Sequence, residues 1–326
     1  MKSIIIMIPY FGKLPPFFMA WKETAIRNKS IDFVLFTDDM SVSTQENIRV
    51  VHMTWKDFVA RVQSIFSFPV ALKAPYKICD FKPALGEIFY EYIKDYDCWG
   101  YGDIDLLLGD LRAFITDEVL GKYERVFYYG HVSLYRNCDK MNSLWRYQED
   151  DYPAVNYQEC YSSRRAFFFD EYGAMYAKCL INQINVFDDV DHRRDPIVGL
   201  EKFYWKNQHQ SSQFVVSWEN GKLYAIHGDK KIELIYAHFY RRKFNVNPKP
   251  ETVERIVVVP NEVRYNDSII DEDFQKAEPG NYRWAYFWRS AKGILKRDGL
   301  FGVFEKRKRD RHYEGYCKKL EEQYIR

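Results

Sequence analysis

The sequence predicts an α/β protein built on a parallel sheet with crossover helices, and three observations at its start carry that prediction. Residues 4–8 form a continuous apolar run of strand length that ends at the turn-forming Pro9-Tyr10-Phe11-Gly12. Pro15 and Pro16 then open a helix running through Trp21 to Ile26, since proline suits a first helical turn. Two more strands, the apolar run 33–36 and the segment 48–52, complete a strand–helix–strand rhythm of the kind that lays parallel strands side by side. In such sheets ligands bind beyond the carboxyl ends of the strands, which here are Tyr10–Gly12 and Thr37-Asp38-Asp39.

Composition limits the alternatives. With 326 residues, 47% hydrophobic and 29% charged, the chain can bury a sizeable core and is not disordered. The aromatic share of 18% suits rings that stack on sugars and equally suits an aromatic core. Six cysteines occur without a Cys-x-x-Cys pair, which excludes a zinc site or disulfide framework and makes a reducing, cytoplasmic setting the expectation. The first apolar run is too short for a signal peptide and stops at Pro9, and no run approaches the roughly 20 residues of a membrane-spanning helix. Residues 281–326 hold 13 Lys and Arg against 6 Asp and Glu, a net of +7, which leaves −5 on the rest. An acidic body with a basic tail points to an anionic surface near the C-terminus and not to nucleic acid.

Further along, residues 77–83 lead into a helix whose Leu85, Ile88, Phe89, Tyr92 and Ile93 keep helical spacing. Strands are expected at 98–101, 125–129, 132–135, 214–218, 223–226 and 232–239, with a hairpin turn at Glu219-Asn220-Gly221. The expected organisation is a catalytic domain over 1–266, with a nucleotide-binding half to about 110 and an acceptor half from 111, and a helical, aromatic and basic appendage over 267–326.

The strand at 98–101 runs out into Gly102-Asp103-Ile104-Asp105. Two carboxylates two residues apart on a chain leaving a sheet can converge on one cation and leave positions for phosphate oxygens, the ligand type Mg2+ and Mn2+ prefer. A cation there neutralises a diphosphate leaving group.

Ile-Pro-Tyr-Phe-Gly-Lys, Phe-Thr-Asp-Asp, Tyr-Lys-Ile-Cys-Asp-Phe-Lys-Pro-Ala and Trp-Gly-Tyr-Gly-Asp-Ile-Asp together resemble the GT-A glycosyltransferases, in particular bacterial enzymes of capsule, exopolysaccharide and lipopolysaccharide synthesis. The resemblance spans about residues 3–245. It implies a Rossmann-like mixed sheet flanked by helices, and transfer of a sugar from a nucleotide-diphosphate-sugar, a UDP-sugar favoured, to a glycan or lipid-linked saccharide. Asp103 and Asp105 then bind Mn2+ or Mg2+ beside Gly102. Tyr10, Phe11 and Gly12 line the nucleotide pocket, Thr37, Asp38 and Asp39 approach base and ribose, and Lys77, Asp80 and Lys82 face donor sugar and phosphate. The register departs from the family at Pro83, where the family carries Arg. A late histidine completes the metal shell in several such enzymes, which implies that role for His238, with Arg241, Arg242 and Lys243 gripping the diphosphate.

Three segments stay open. Asp170 and Glu171 are candidate catalytic carboxylates, with Asp170 alternatively the N-cap of a helix over 173–181. His131 and Arg136 lie on an expected acceptor-side strand, where His131 equally suits a structural role. The acidic run at 188–192 reads as a solvated loop. The aromatic and basic run from Trp284 to Arg309 suits the inner face of a cell membrane. Rival readings are a non-catalytic carbohydrate- or anionic-surface-binding module and an Asp-x-Asp phosphatase. The phosphatase pattern wants its motif near the N-terminus and Thr or Val where Leu107 stands.

Overall fold

The computed structural model describes residues 1–148, 156–171, 174–188, 196–198, 203–205, 214–239, 244–259, 262–276, 308, 311–313 and 315–322. They fall into two compact units of interleaved segments: 1–54, 102–120 and 188–280 in the first, 55–101, 121–187 and 281–326 in the second. The boundaries expected at about 110 and 266 fall inside segments of the first unit.

The first unit begins as predicted. Ile4–Pro9, Asp32–Thr37 and Ile48–His52 are parallel strands, with Asp32–Thr37 between the other two. The crossover helix Phe18–Arg27 buries Phe18, Trp21, Ala25 and Ile26, and Trp21 meets Phe33 edge-on at 5.8 Å. A second, mostly antiparallel sheet follows. Its strands lie in the order Lys230–Leu234, Lys222–His227, Val215–Glu219, Arg255–Val259, Glu262–Tyr265, Asn245–Val246. Asn220 (φ 48°) and Gly221 (φ 97°) make the expected two-residue hairpin turn. One face packs Trp218, Leu223, Ile256 and Val258 against Leu107 and Phe17. The other packs Val215, Val257 and Val259 against Ile269 and Phe274, on and beside the helix Asp271–Lys276. A buried pair of Arg264 with Asp273 ties that helix to its strand.

The long strand expected at 232–239 breaks in two. Lys230–Leu234 stays in the antiparallel sheet, whereas Tyr236–His238 pairs with Leu106–Leu108. Gly109 explains the break: a Cβ there would lie 2.4 Å from the Leu234 carbonyl oxygen, and its N–H bonds the Ile235 carbonyl at 2.8 Å. Only glycine allows the backbones that close.

In the second unit the strands lie in the order Cys98–Gly102, Val132–Arg136, Arg125–Val126, Val186–Phe187. The strand expected at 125–129 is cut short because Phe127 adopts φ 64°, outside the β region. The helix expected after Pro83 forms as short turns between Pro75 and Ile93. The aromatic residues go largely into the core here: Phe81 stacks on Tyr161 at 4.3 Å, with Phe66, Trp145 and Phe169 around them. Near the C-terminus Tyr313, Cys317 and Leu320 pack on Ala177 and Leu180. All six cysteines are free thiols. Among the described residues no helix is long and apolar enough to cross a membrane.

Candidate metal centre

Asp103 and Asp105 flank the bend between the strands Cys98–Gly102 and Leu106–Leu108. Tyr236–His238 runs antiparallel to the second of these, with His238 opposite Leu106, and the Phe239 N–H bonds the Asp105 carbonyl at 2.8 Å. That register delivers the His238 ring to the carboxylates. His238 Nε2 stands 3.5 Å from Asp105 Oδ2, and one ligand atom from each of Asp103, Asp105 and His238 lies within 4.8 Å of the others. Two atoms on one small dication, at ~2.0–2.2 Å per bond, are separated by about 3–4.4 Å, so small side-chain rotations suffice for a shared ion. The donors fit one: two carboxylates and an imidazole, with the Asp105 side chain 39% exposed and His238 buried behind it.

The helix Phe18–Arg27 braces this arrangement from beneath. Thr24 Oγ1 accepts the Leu108 N–H at 3.1 Å. Asn28, just past the helix end, donates to the Gly109 carbonyl and accepts the Leu111 N–H, both at 3.0 Å. Thr24 and Asn28 lie outside the residues the sequence points to; the signal they carry is a polar pair at i, i+4 in a largely apolar stretch.

The nucleotide-side candidates cluster in the same unit. Gly12 takes φ 97°, open only to glycine without strain, and its N–H bonds Asp38 Oδ1 at 2.7 Å. Asp39 accepts the Leu14 N–H at 3.0 Å and the Ser41 N–H and hydroxyl at 2.9 and 2.6 Å. These bonds, that from Leu14 foremost, hold its carboxyl down at about 2. Both aspartates thus fix the turn carrying Tyr10, Phe11 and Gly12. Thr37 is buried and accepts the Asp39 N–H. Burial, then the charge of Asp105, pushes the Tyr10 phenol up and keeps it a donor.

Lys77, Asp80 and Lys82 belong to the second unit and are buried. Lys77 Nζ pairs with Asp80 Oδ2 at 2.6 Å and donates to the carbonyls of Cys160, at 2.8 Å, and Arg165. Asp80 accepts the N–H groups of Phe167 and Phe169 at 3.0 Å, and Lys82 donates to the Gly130 carbonyl at 2.9 Å. Glu171 Oε1 accepts the Gly130 N–H at 2.8 Å and stands 3.9 Å from His131 Nδ1, in a ring stacked on Tyr129.

Asp170 is not the helix cap. Met175–Ile181 starts after Ala174 with no side-chain cap, the Met175 N–H bonds the Phe169 carbonyl, and the Asp170 carboxylate lies buried against Gly130. Arg136 donates to the carbonyls of Gly121 and Tyr123, which ties it to local backbone. Arg241, Arg242 and Lys243 lie outside the described residues, as do most of the acidic run at 188–192 and of the basic tail.

The chain belongs to a protein family described as a family of unknown function, DUF6625, whose model matches residues 6–267. No curated protein matches it. Among solved structures it is similar to the galactosyltransferase LgtC in complex with donor and acceptor sugar analogues, at 15% identity over 59% of this chain and 76% of that one, TM-score 0.34. It is likewise similar to an active-site mutant of LgtC, at 14% identity over 73% of this chain and 88% of that one, TM-score 0.38. At these values the likeness says nothing of chemistry, which rests on this chain's own residues.

Proposed function

We propose that the protein is a metal-dependent glycosyltransferase that moves a sugar from a nucleotide-diphosphate-sugar to a saccharide acceptor. The observation that carries this reading is the meeting of His238 with Asp103 and Asp105, more than 130 residues apart in sequence, where an antiparallel strand pair brings them together. The three residues hold a divalent cation. Mn2+ suits the mixed oxygen and nitrogen donors better than Mg2+, which favours oxygen throughout. When bound, the cation supplies Lewis-acid neutralisation of the diphosphate leaving group.

The chain's own residues do the rest. The turn Tyr10–Gly12, pinned by Asp38 and Asp39, offers backbone and a protonated phenol to the nucleotide, with a UDP-sugar the favoured donor. Arg241, Arg242 and Lys243 follow His238 in sequence and supply positive charge for the diphosphate. Glu171, with Asp170 beside it, is the candidate catalytic carboxylate. In an inverting transfer it takes the acceptor hydroxyl proton, and in a retaining one it steadies the developing cation. The C–O bond to the diphosphate breaks and a C–O bond to the acceptor forms. Bacterial surface polysaccharide synthesis on lipid-linked acceptors, at the inner membrane face, is the setting the basic tail suits.

The test is a panel of nucleotide sugars with Mn2+, read by thermal shift and by nucleoside diphosphate release. A ligand that binds only the native state raises the melting temperature. One nucleotide sugar is expected to stabilise the chain and to be turned over with a saccharide acceptor. Stabilisation by a sugar alone, without nucleotide or metal, would favour a binding module instead.

A further inference from the structure

We propose that Lys77 and Asp80, with Lys82 beside them, are positioning residues that set the Glu171 carboxylate, an inference that rests on the glycosyltransferase reading. The three charges lie within six residues of one helical stretch, and each reaches one of two loops that meet at Glu171. Asp80 has no exposed surface, and its two oxygens take the amides of Phe167 and Phe169 at 3.0 Å. Between those amides sits Phe168 at φ 55°, a left-handed conformation that a bulky residue does not adopt unaided. The carboxylate clamp across residues 167 and 169 holds the chain in that conformation. Lys77 neutralises the buried carboxylate and fixes the loop's start through the Arg165 carbonyl.

The second loop is held by Lys82, which bonds the Gly130 carbonyl at 2.9 Å, while the N–H of the same residue bonds Glu171 Oε1 at 2.8 Å. A Cβ at Gly130 would stand 2.1 Å from Asp170 Oδ2 and 3.1 Å from Glu171 Cγ, so a side chain there must push the two acidic side chains aside. A carboxylate that meets an acceptor must be held to a fraction of an ångström, and a ~1 Å displacement from outside the reacting atoms costs about 100-fold in rate. Buried charges satisfied by backbone at both ends supply that rigidity. The same burial keeps Lys77 and Asp80 away from a diphosphate or sugar.

The test uses the full-length chain with Asp80→Asn, Gly130→Ala, Lys82→Met and Glu171→Gln. Amide exchange of Phe167 and Phe169 should quicken in Asp80→Asn, a readout that needs no turnover. Affinity for UDP with Mn2+ should stay within about twofold of wild type in Asp80→Asn and Gly130→Ala, while kcat falls about 100-fold. The double variant Asp80→Asn/Glu171→Gln should be no slower than Glu171→Gln alone, because the two act as one unit. If Asp80→Asn does not fold, Gly130→Ala and Lys82→Met carry the kinetic test. The inference is overturned if Glu171→Gln is impaired while the positioning variants keep wild-type kcat, or if Asp80→Asn weakens UDP binding tenfold or more. Absence of turnover by the wild type with any nucleotide sugar would instead remove the glycosyltransferase reading, and full activity of Glu171→Gln the role of that carboxylate.

Discussion

Two sets of charged residues carry the same expectation from sequence, contact with a nucleotide-sugar donor, and the structure treats them differently. In the first unit Asp105 keeps a side chain 39% exposed beside His238, so a solvated ligand can reach it. In the second, Asp80 has no exposed surface, and its oxygens are bound to Lys77 and two backbone amides. Both sets follow or precede an element end, and both are acidic residues with a basic partner. What separates them is where the backbone amides point. Amides turned onto Asp80 make it an anchor, whereas the Asp105 carbonyl takes the Phe239 N–H and its carboxylate stands beside His238.

The largest effect expected from breaking this contrast lies at the metal. Asp105→Asn should leave the fold intact and reduce metal-dependent transfer by about 1,000-fold or more, since a neutral amide replaces a carboxylate on a hard cation. Wild-type turnover in that variant, or in excess chelator, would remove the metal from the account. Next is stability at the anchor. Asp80→Ala leaves Lys77 buried without its counter-charge and should cost about 3–5 kcal/mol in urea unfolding of the full chain. A loss below about 1 kcal/mol would mean the pair is not buried as described.

His238→Ala should be milder than Asp105→Asn. Two carboxylates remain, so Mn2+ affinity should fall by about tenfold, or about 1.4 kcal/mol, with little change in melting temperature. A melting temperature that falls while Mn2+ affinity holds would make His238 a structural residue.

The smallest effect concerns the turn Tyr10–Gly12, which Asp38 and Asp39 hold. Asp39 titrates at about 2 in the folded chain, below the ordinary carboxylate range, because the amides of Leu14 and Ser41 and the Ser41 hydroxyl bind its charged form. Its contribution to stability is therefore complete above an unfolded carboxylate pKa of about 4 and is lost as pH falls toward 2. In Asp39→Asn the acid limb of the stability curve should flatten across that window. An unchanged limb would show that the turn is not held by this charge.

The same contrast explains what could be read from sequence. The strands Ile4–Pro9, Asp32–Thr37 and Cys98–Gly102 announce themselves as apolar runs ending in polar turns, and Asp103 and Asp105 sit at one of those ends. The break at Ile235 does not, because it depends on Gly109 approaching from a remote segment. Nor does the fate of Asp80, which is decided by amides 87 and 89 residues away. The strand Arg255–Val259 lies outside the strands expected from sequence, although its apolar run is as clear as the first. Long-range backbone contacts, which local patterns do not encode, account for the rest.

The most direct test of the central claim is a Mn2+ titration of the full chain, in wild type and in Asp105→Asn and His238→Ala, followed by the electron paramagnetic resonance of free Mn2+. Mn2+ should bind at one site per chain, with binding abolished in Asp105→Asn, weakened about tenfold in His238→Ala, and tightened in wild type by UDP. Absence of Mn2+ binding by the wild type in the presence of UDP, or equal binding by all three proteins, would contradict that claim.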